Sequence, residues 1–186
     1  MTPLYVVLAL FALAGLLVAA SYNRLVRLRN KVAEGWRDVD VQLQRRHDLI
    51  PRLVETVRGY SAHESTIFGE LARLRGKAEE ANGATAKSAP EAELAGALGD
   101  TIALAESYPG LRATENYLAL QKEIANTEDE LAAARLIYNG NVRIYNTRIQ
   151  SFPVLIYADL LGFEPAEYFQ PSGPDREPLS TALAVD

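Results

Sequence analysis

Residues 4–20 read LYVVLALFALAGLLVAA and are followed directly by SYNRLVRLRNK at residues 21–31. The first stretch carries no charge, and as a helix it would extend about 26 Å, at the lower end of what crosses a hydrocarbon core. The second stretch carries four cations and no acid, which is typical of the cytoplasmic end of a membrane span. The sequence therefore predicts a membrane anchor. The cations are also candidate contacts with the membrane surface: Arg24, Arg27, Arg29 and Lys31.

A cleaved signal peptide is the alternative interpretation of the same residues. The small residues 18–20 before Ser21 form an acceptable cleavage pattern. However, no Lys or Arg precedes the apolar run, whereas a signal peptide carries its positive charges there. The chain also lacks cysteine, which excludes anchoring as a lipoprotein. The residues therefore favour a retained anchor.

Composition limits the classes of function. The chain has no cysteine, so it has no disulfides and no thiolate metal sites. Residues 22–60 contain nine Lys/Arg and five Asp/Glu, a net charge of +4, whereas residues 61–186 contain ten and nineteen, a net charge of −9. A nucleic-acid-binding domain would concentrate basic residues on one face, so we expect no nucleic acid partner. The basic part would instead lie against the membrane, where anionic lipid attracts each cation by about 1 kcal/mol.

Apolar residues spaced three and four apart predict that a helix continues directly from the anchor. Pro51 predicts a kink in this helix, and Gly59 predicts its end. Residues 61–64, Ser-Ala-His-Glu, form a capping box that predicts a second helix to about Glu80. The apolar stripe of the first helix consists of Leu25, Leu28, Val32, Trp36, Val39 and Leu43.

The second half of the chain predicts a loop followed by two more helices. Residues 82–90 are small and polar without a period, which is typical of a loop. Residues 91–106 predict a third helix, residues 108–110 a turn, and residues 111–150 a fourth helix with the clearest periodicity in the chain. The inward positions of the fourth helix are Tyr117, Leu120, Ile124, Thr127, Leu131, Ala134, Tyr138, Val142, Tyr145 and Ile149.

The lengths of these segments predict an all-α fold. Long, short, short and long helices pack most simply as an up-down-up-down antiparallel bundle behind an N-terminal transmembrane helix. The alternative is a long bent helical hairpin. We expect three regions: a membrane anchor at residues 1–23, the helical bundle at residues 24–163, and a loose Pro-containing tail at residues 164–186. Both arrangements place the short apolar segment 154–161 at the membrane-proximal end.

Two similar stretches, residues 22–30 and 138–146, are identical at five of nine positions. The bundle would bring them near each other on antiparallel helices. Chance similarity is one explanation. The other is a buried polar layer in which asparagine amides bridge the helices, because an unsatisfied buried amide costs about 1–3 kcal/mol. The residues of this layer would be Asn23, Asn30, Asn139 and Asn146.

The sequence contains no recognisable catalytic motif. It has no P-loop, no dinucleotide-binding glycine pattern and no GxSxG. The only histidine–acid pairs are His47-Asp48 and His63-Glu64, without the third histidine or HExxH spacing that a zinc site would need. The acidic residues at 123 and 128–130 lie on a regular helix, which indicates a solvated face. We therefore expect no catalytic residue, no metal, no cofactor and no enzymatic activity.

Nearly the whole chain resembles the LemA family. One motif, Y-N-x-L-V-x-L-R-N-x-V-x-E-x-W, occupies residues 22–36, and a second, D-V-Q-L-x-R-R-x-D-L-I-P-x-L-V-x-T-V-x-G-Y-x-x-H-E, occupies residues 40–64. The resemblance continues through Tyr138-Asn139, Tyr145-Asn146 and Ser151-Phe152-Pro153. It implies a bacterial single-pass protein of the inner (cytoplasmic) membrane, with a short outward N-terminus and an antiparallel helical bundle in the cytoplasm. It implies no catalytic residues.

Two functions are compatible with these features. The first is a non-enzymatic module that presents its helical bundle to a membrane protein, a cytoplasmic protein or a second copy of itself in a homo-oligomer. The second is a lipid-organising protein, in which the basic residues after the anchor and segment 154–161 contact the lipid bilayer.

Overall fold

The computed structural model describes residues 2–60 and 65–170, and helices dominate both ranges. No strand occurs in these two ranges, so the predicted all-α fold is confirmed. Two 3-10 turns, Val154–Ile156 and Asp159–Leu161, follow the last helix. The helices are α1 (Thr2–Arg58), α2 (Ser65–Glu80), α3 (Ala84–Glu106), α4 (Pro109–Arg112) and α5 (Glu115–Gln150).

Helix α1 carries the predicted membrane segment. Within the described part of the chain, it is the one helix long and apolar enough to cross a membrane, judged by length and composition. No part of its most apolar stretch is buried inside the protein. Because the described residues leave these side chains uncovered, they are suited to a lipid environment.

The chain divides into two compact units, and unit 1 consists of residues 2–40 and 133–167. Here α1 and α5 run antiparallel. The Asn141 side chain donates a hydrogen bond to the Lys31 carbonyl oxygen at 3.1 Å, and the rings of Trp36 and Tyr138 lie 5.3 Å apart. Gly35 permits this close packing, because a Cβ there would stand 3.3 Å from the Cα of Tyr138.

Residues 164–167 are ordered against α5 in unit 1. The Tyr138 hydroxyl donates to the carbonyl of Glu167 at 2.7 Å, and the Tyr145 hydroxyl donates to the carbonyl of Glu164 at 2.9 Å. The prediction of a loose tail from residue 164 is wrong here, because these buried hydroxyls need acceptors and this segment supplies them. Residues 171–186 lie outside the described ranges.

Unit 2 consists of residues 41–60, 65–132 and 168–170. The ion pairs Arg45–Glu130 and Arg52–Glu123 align α1 antiparallel to α5, and Lys77 pairs with Glu93 between α2 and α3. His47 of α1 also lies 3.9 Å from Glu79 near the end of α2, so α2 folds back along α1. Four helical segments thus pack as the predicted bundle, and the bent hairpin is wrong. Much of the shared core consists of Leu49, Ile50, Leu53, Val57, Phe68, Leu71, Leu74, Leu94, Leu98, Leu111, Tyr117, Leu120 and Ile124.

The predicted inward face of the last long helix is confirmed at each of its positions, from Tyr117 to Ile149. The predicted single helix over residues 111–150 is nevertheless divided. Helix α4 ends at Arg112, and α5 begins after Thr114, whose hydroxyl accepts a hydrogen bond from the Tyr117 N–H at 3.4 Å. Threonine at this position caps the new helix.

The loop predicted at residues 82–90 is wrong, because α3 already begins at Ala84. Gly83, with a φ of 88°, makes the turn before it. Ala84, Ser88 and Pro90 are buried, and alanine favours helix. Tertiary burial therefore overrides the loop-like composition. The capping box at residues 61–64 lies outside the described residues.

Candidate functional site

The four predicted membrane-surface cations are all exposed on α1, directly after the apolar run. The Arg29 guanidinium lies 5.2 Å from the centroid of the Phe163 ring, and the Tyr22 ring lies 5.5 Å from the same ring. The cationic part of α1 is thus packed beside the segment that follows α5. The other three cations are Arg24, Arg27 and Lys31.

The four asparagines of the predicted polar layer differ in exposure and in partner. Asn23 and Asn30 are exposed, and Asn139 is only partly buried. Asn146 instead binds the backbone of Ala166, donating to its carbonyl at 2.9 Å and accepting from its N–H at 2.8 Å. The segment after α5 therefore supplies both partners of the Asn146 amide.

Segment 152–161 of unit 1 carries an exposed apolar surface, which we name the apolar turn. Val154 and Ala158 are buried and hold the turn in place. Five other large apolar side chains of the segment are between 39% and 86% exposed. These exposed residues are Phe152, Leu155, Ile156, Leu160 and Leu161.

A second exposed apolar surface lies on α5, also in unit 1, and we name it the α5 stripe. It consists of Leu136, Ile137 and Ile144, which are between 53% and 77% exposed. With 3.6 residues per turn, these positions fall within an arc of about 100° that lies outside the buried face of Tyr138 and Tyr145, with Leu136 opposite that face. The stripe therefore does not contribute to the core of unit 1.

Unit 2 contains a buried ionic cluster that joins α1 to α3. Arg46 and Glu91 form an ion pair, and both are almost fully buried. His47 Nε2 lies 3.0 Å from Glu91 Oε1, and Arg46 Nη1 lies 3.2 Å from an oxygen of the partly exposed Glu128. Burial raises the pKa of the Glu91 carboxyl, but the contact with His47 and the charge of Arg46 outweigh it and bring the pKa below its ordinary value.

The burial of this cluster indicates a structural role. Arg46, His47 and Glu91 are at most 2% exposed, so they offer no surface to a substrate. In the described ranges, no group of three or more His, Asp or Glu side chains could hold a metal ion. His63, the partner considered for His47, lies outside those ranges.

Sequence reasoning missed this cluster, although a signal was present. Arg46 and His47 lie between Leu43 and Ile50 at the spacing of inward positions. Glu91 likewise has inward spacing with Leu94 and Leu98. Charged residues at inward positions of two helices are a signature of a buried ion pair.

Comparison with known proteins gives one family. The LemA family model matches residues 35–182. Magnetosome protein MamQ 1 from Paramagnetospirillum magneticum is 25% identical over 186 aligned residues, which cover 86% of this chain and 68% of the relative. MamQ from Magnetospirillum gryphiswaldense has the same identity and coverage. Protein LemA from Metamycoplasma hominis is 24% identical over 163 residues, covering 86% of this chain and 74% of the relative.

Proposed function

The chain belongs to the LemA family, and from this premise we propose that it is a non-enzymatic, single-pass membrane protein whose helical domain binds a protein partner in the cytoplasm. Family membership and the apolar start of α1 fit a membrane-anchored helical protein. The ionisable groups of the buried cluster lie in a helical core rather than a cleft, which favours a binding role over catalysis.

The α5 stripe is the observation that carries this proposal. Isolated exposed apolar residues are normal, but Leu136, Ile137 and Ile144 share one helical face that lies outside the core. An apolar stripe of this kind suits another amphipathic helix. The partner is accordingly a helical protein, either a second copy or a different protein.

Gly140 lies within the stripe and supports the same proposal. Glycine inside a helix costs about 1 kcal/mol relative to alanine. Gly35 offsets that cost by admitting Tyr138, whereas a Cβ at Gly140 would meet no described atom within 4 Å. A glycine with open space above it permits the close approach of a helix from outside the chain.

Crosslinking in native membranes tests the proposal. A photo-reactive residue in place of Leu136 should give an adduct of defined mass, while the same residue at the exposed Glu34 of α1 should not. The mass distinguishes a second copy from a different protein. Equal background at both positions would refute a docking role for the stripe.

Substitutions of the two glycines sharpen this test. Gly140→Ala should stabilise the protein by about 1 kcal/mol and yet reduce the adduct several-fold. Gly35→Ala should destabilise it, because the added Cβ would crowd Tyr138. An unchanged adduct in Gly140→Ala would contradict close helix approach.

The proposed orientation rests on the four cations after the span. A reporter that is active only in the cytoplasm, fused after residue 186, should be active. Activity of a periplasm-dependent reporter at the same position would reverse the orientation and favour a cleaved signal peptide.

A further inference from the structure

The apolar turn is anchored at the end of unit 1 from which the candidate membrane span leaves. Continuing the antiparallel register of the Lys31–Asn141 and Trp36–Tyr138 contacts places Gln150 opposite residues 22–24. Phe163, just after the turn, packs on Tyr22. The turn lies between Gln150 and Phe163 in the chain, and both of these residues are level with Tyr22. Tyr22 is only two residues beyond the apolar run.

The composition of the turn indicates which surface covers it. Its exposed side chains are large and apolar, and Asp159 is the only charged residue between Ser151 and Phe163. Transfer of such side chains out of water is favourable and roughly proportional to the apolar area removed. Because the neighbouring α1 segment is itself suited to lipid, the nearest apolar phase is the bilayer around that segment.

We propose that the apolar turn inserts into the interfacial region of the leaflet from which α1 emerges. Phe152, Leu155, Ile156 and Leu160 would enter the boundary between headgroups and acyl chains, as an interfacial amphipathic element does. The protein would then have two membrane contacts, the span and the turn, which together fix the height of unit 1 above the bilayer. This inference rests on the candidate span and is independent of the protein-binding proposal.

Because the turn carries almost no charge, its insertion can be distinguished from electrostatic attachment by the four cations that follow the apolar run of α1. Arg24 and Arg27 would be attracted to anionic lipid in a salt-dependent way. Insertion of the turn depends instead on apolar area. It should therefore occur in neutral phosphatidylcholine and persist in 1 M NaCl, where the Debye length falls to about 3 Å.

Fluorescence in reconstituted vesicles tests the insertion directly. The full chain lacks cysteine, so Leu160→Cys and Asp38→Cys each give one labelling site for an environment-sensitive fluorophore. Both positions are exposed in unit 1. Asp38 lies about 15 residues further along α1 than residues 22–24, which are level with the turn. In phosphatidylcholine vesicles, the label at 160 should shift to the blue and be quenched several-fold more by shallow nitroxide lipid than the label at 38.

The remaining outcomes decide against the proposal. Equal, water-like emission at both positions would overturn it. A blue shift at 160 without lipid quenching would show that protein, not lipid, covers the turn. As a further check, Phe152→Ser combined with Ile156→Ser should reduce quenching at 160 several-fold while helical circular dichroism is retained, and unchanged quenching would also overturn it.

Discussion

The buried ionic cluster of unit 2 makes a quantitative prediction through Glu91→Gln. The substitution keeps the shape of the side chain but removes the charge that faces Arg46 and contacts His47. Arg46 would then be a buried cation without its main partner. Because a buried charge is costly unless it is paired, the free energy of unfolding should fall.

The structure fixes the size of the effect. Removing one partner of a buried ion pair costs about 3–5 kcal/mol. Arg46 retains the Glu128 carboxylate at 3.2 Å, and this partner is partly exposed to solvent. The lower end of the range, about 3 kcal/mol, therefore applies, which corresponds to a decrease in Tm of about 6–12 °C for a domain of this size.

Thermal unfolding of the full chain in mild detergent, followed by circular dichroism, measures this decrease. Glu93→Gln is the matched control, because Glu93 lies on the same helix in an exposed pair with Lys77 and should change the stability by at most about 1 kcal/mol. Equal Tm values for the Glu91 and Glu93 variants would refute the structural role of the cluster.

The pH dependence provides a second check on Glu91. Its folded-state pKa lies below the ordinary value of 4.5, so its contribution to stability is present above that pH and is lost as the pH falls through the folded pKa. The difference in Tm between the wild type and Glu91→Gln should therefore be full at neutral pH and shrink below about pH 4.5. A difference that grows on acidification would contradict this sign.

Two further substitutions test contacts that the sequence did not predict. Asn146→Ala should cost about 1–2 kcal/mol, because it removes both hydrogen bonds to Ala166, while Asn30→Ala at an exposed position should be near neutral in the same thermal melts. Ser88→Ala should cost about 1 kcal/mol, since its buried hydroxyl accepts from the Gln170 N–H at 3.1 Å, and a neutral result would mean that this contact contributes nothing to stability.

The sequence predicted the parts of the fold that depend on periodicity. The buried face of α5 from Tyr117 to Ile149 keeps steps of three and four residues throughout, so helix geometry alone determines which face is buried. The break before Thr114 was not predicted, because a single capping hydroxyl decides it. The pattern of a short apolar segment does not tell which of its side chains are buried. In the apolar turn, the structure buries Val154 and Ala158 and leaves the larger apolar side chains exposed.

The missed cluster and the misplaced loop have a common cause, which is that polar composition was taken to indicate exposure. Helix α3 has buried residues at steps of three and four, and polar members of that series include Ser88 and Glu91. Each is satisfied by a partner distant in sequence, Gln170 for the hydroxyl and Arg46 for the carboxylate. A periodicity search that admits polar residues at inward positions would start α3 near Ala84 and would flag Arg46 and Glu91 as complementary charges. The partner of a charged residue at an inward position is then limited to other inward residues of opposite charge. The cluster is therefore predictable from sequence once burial and polarity are treated as separate properties.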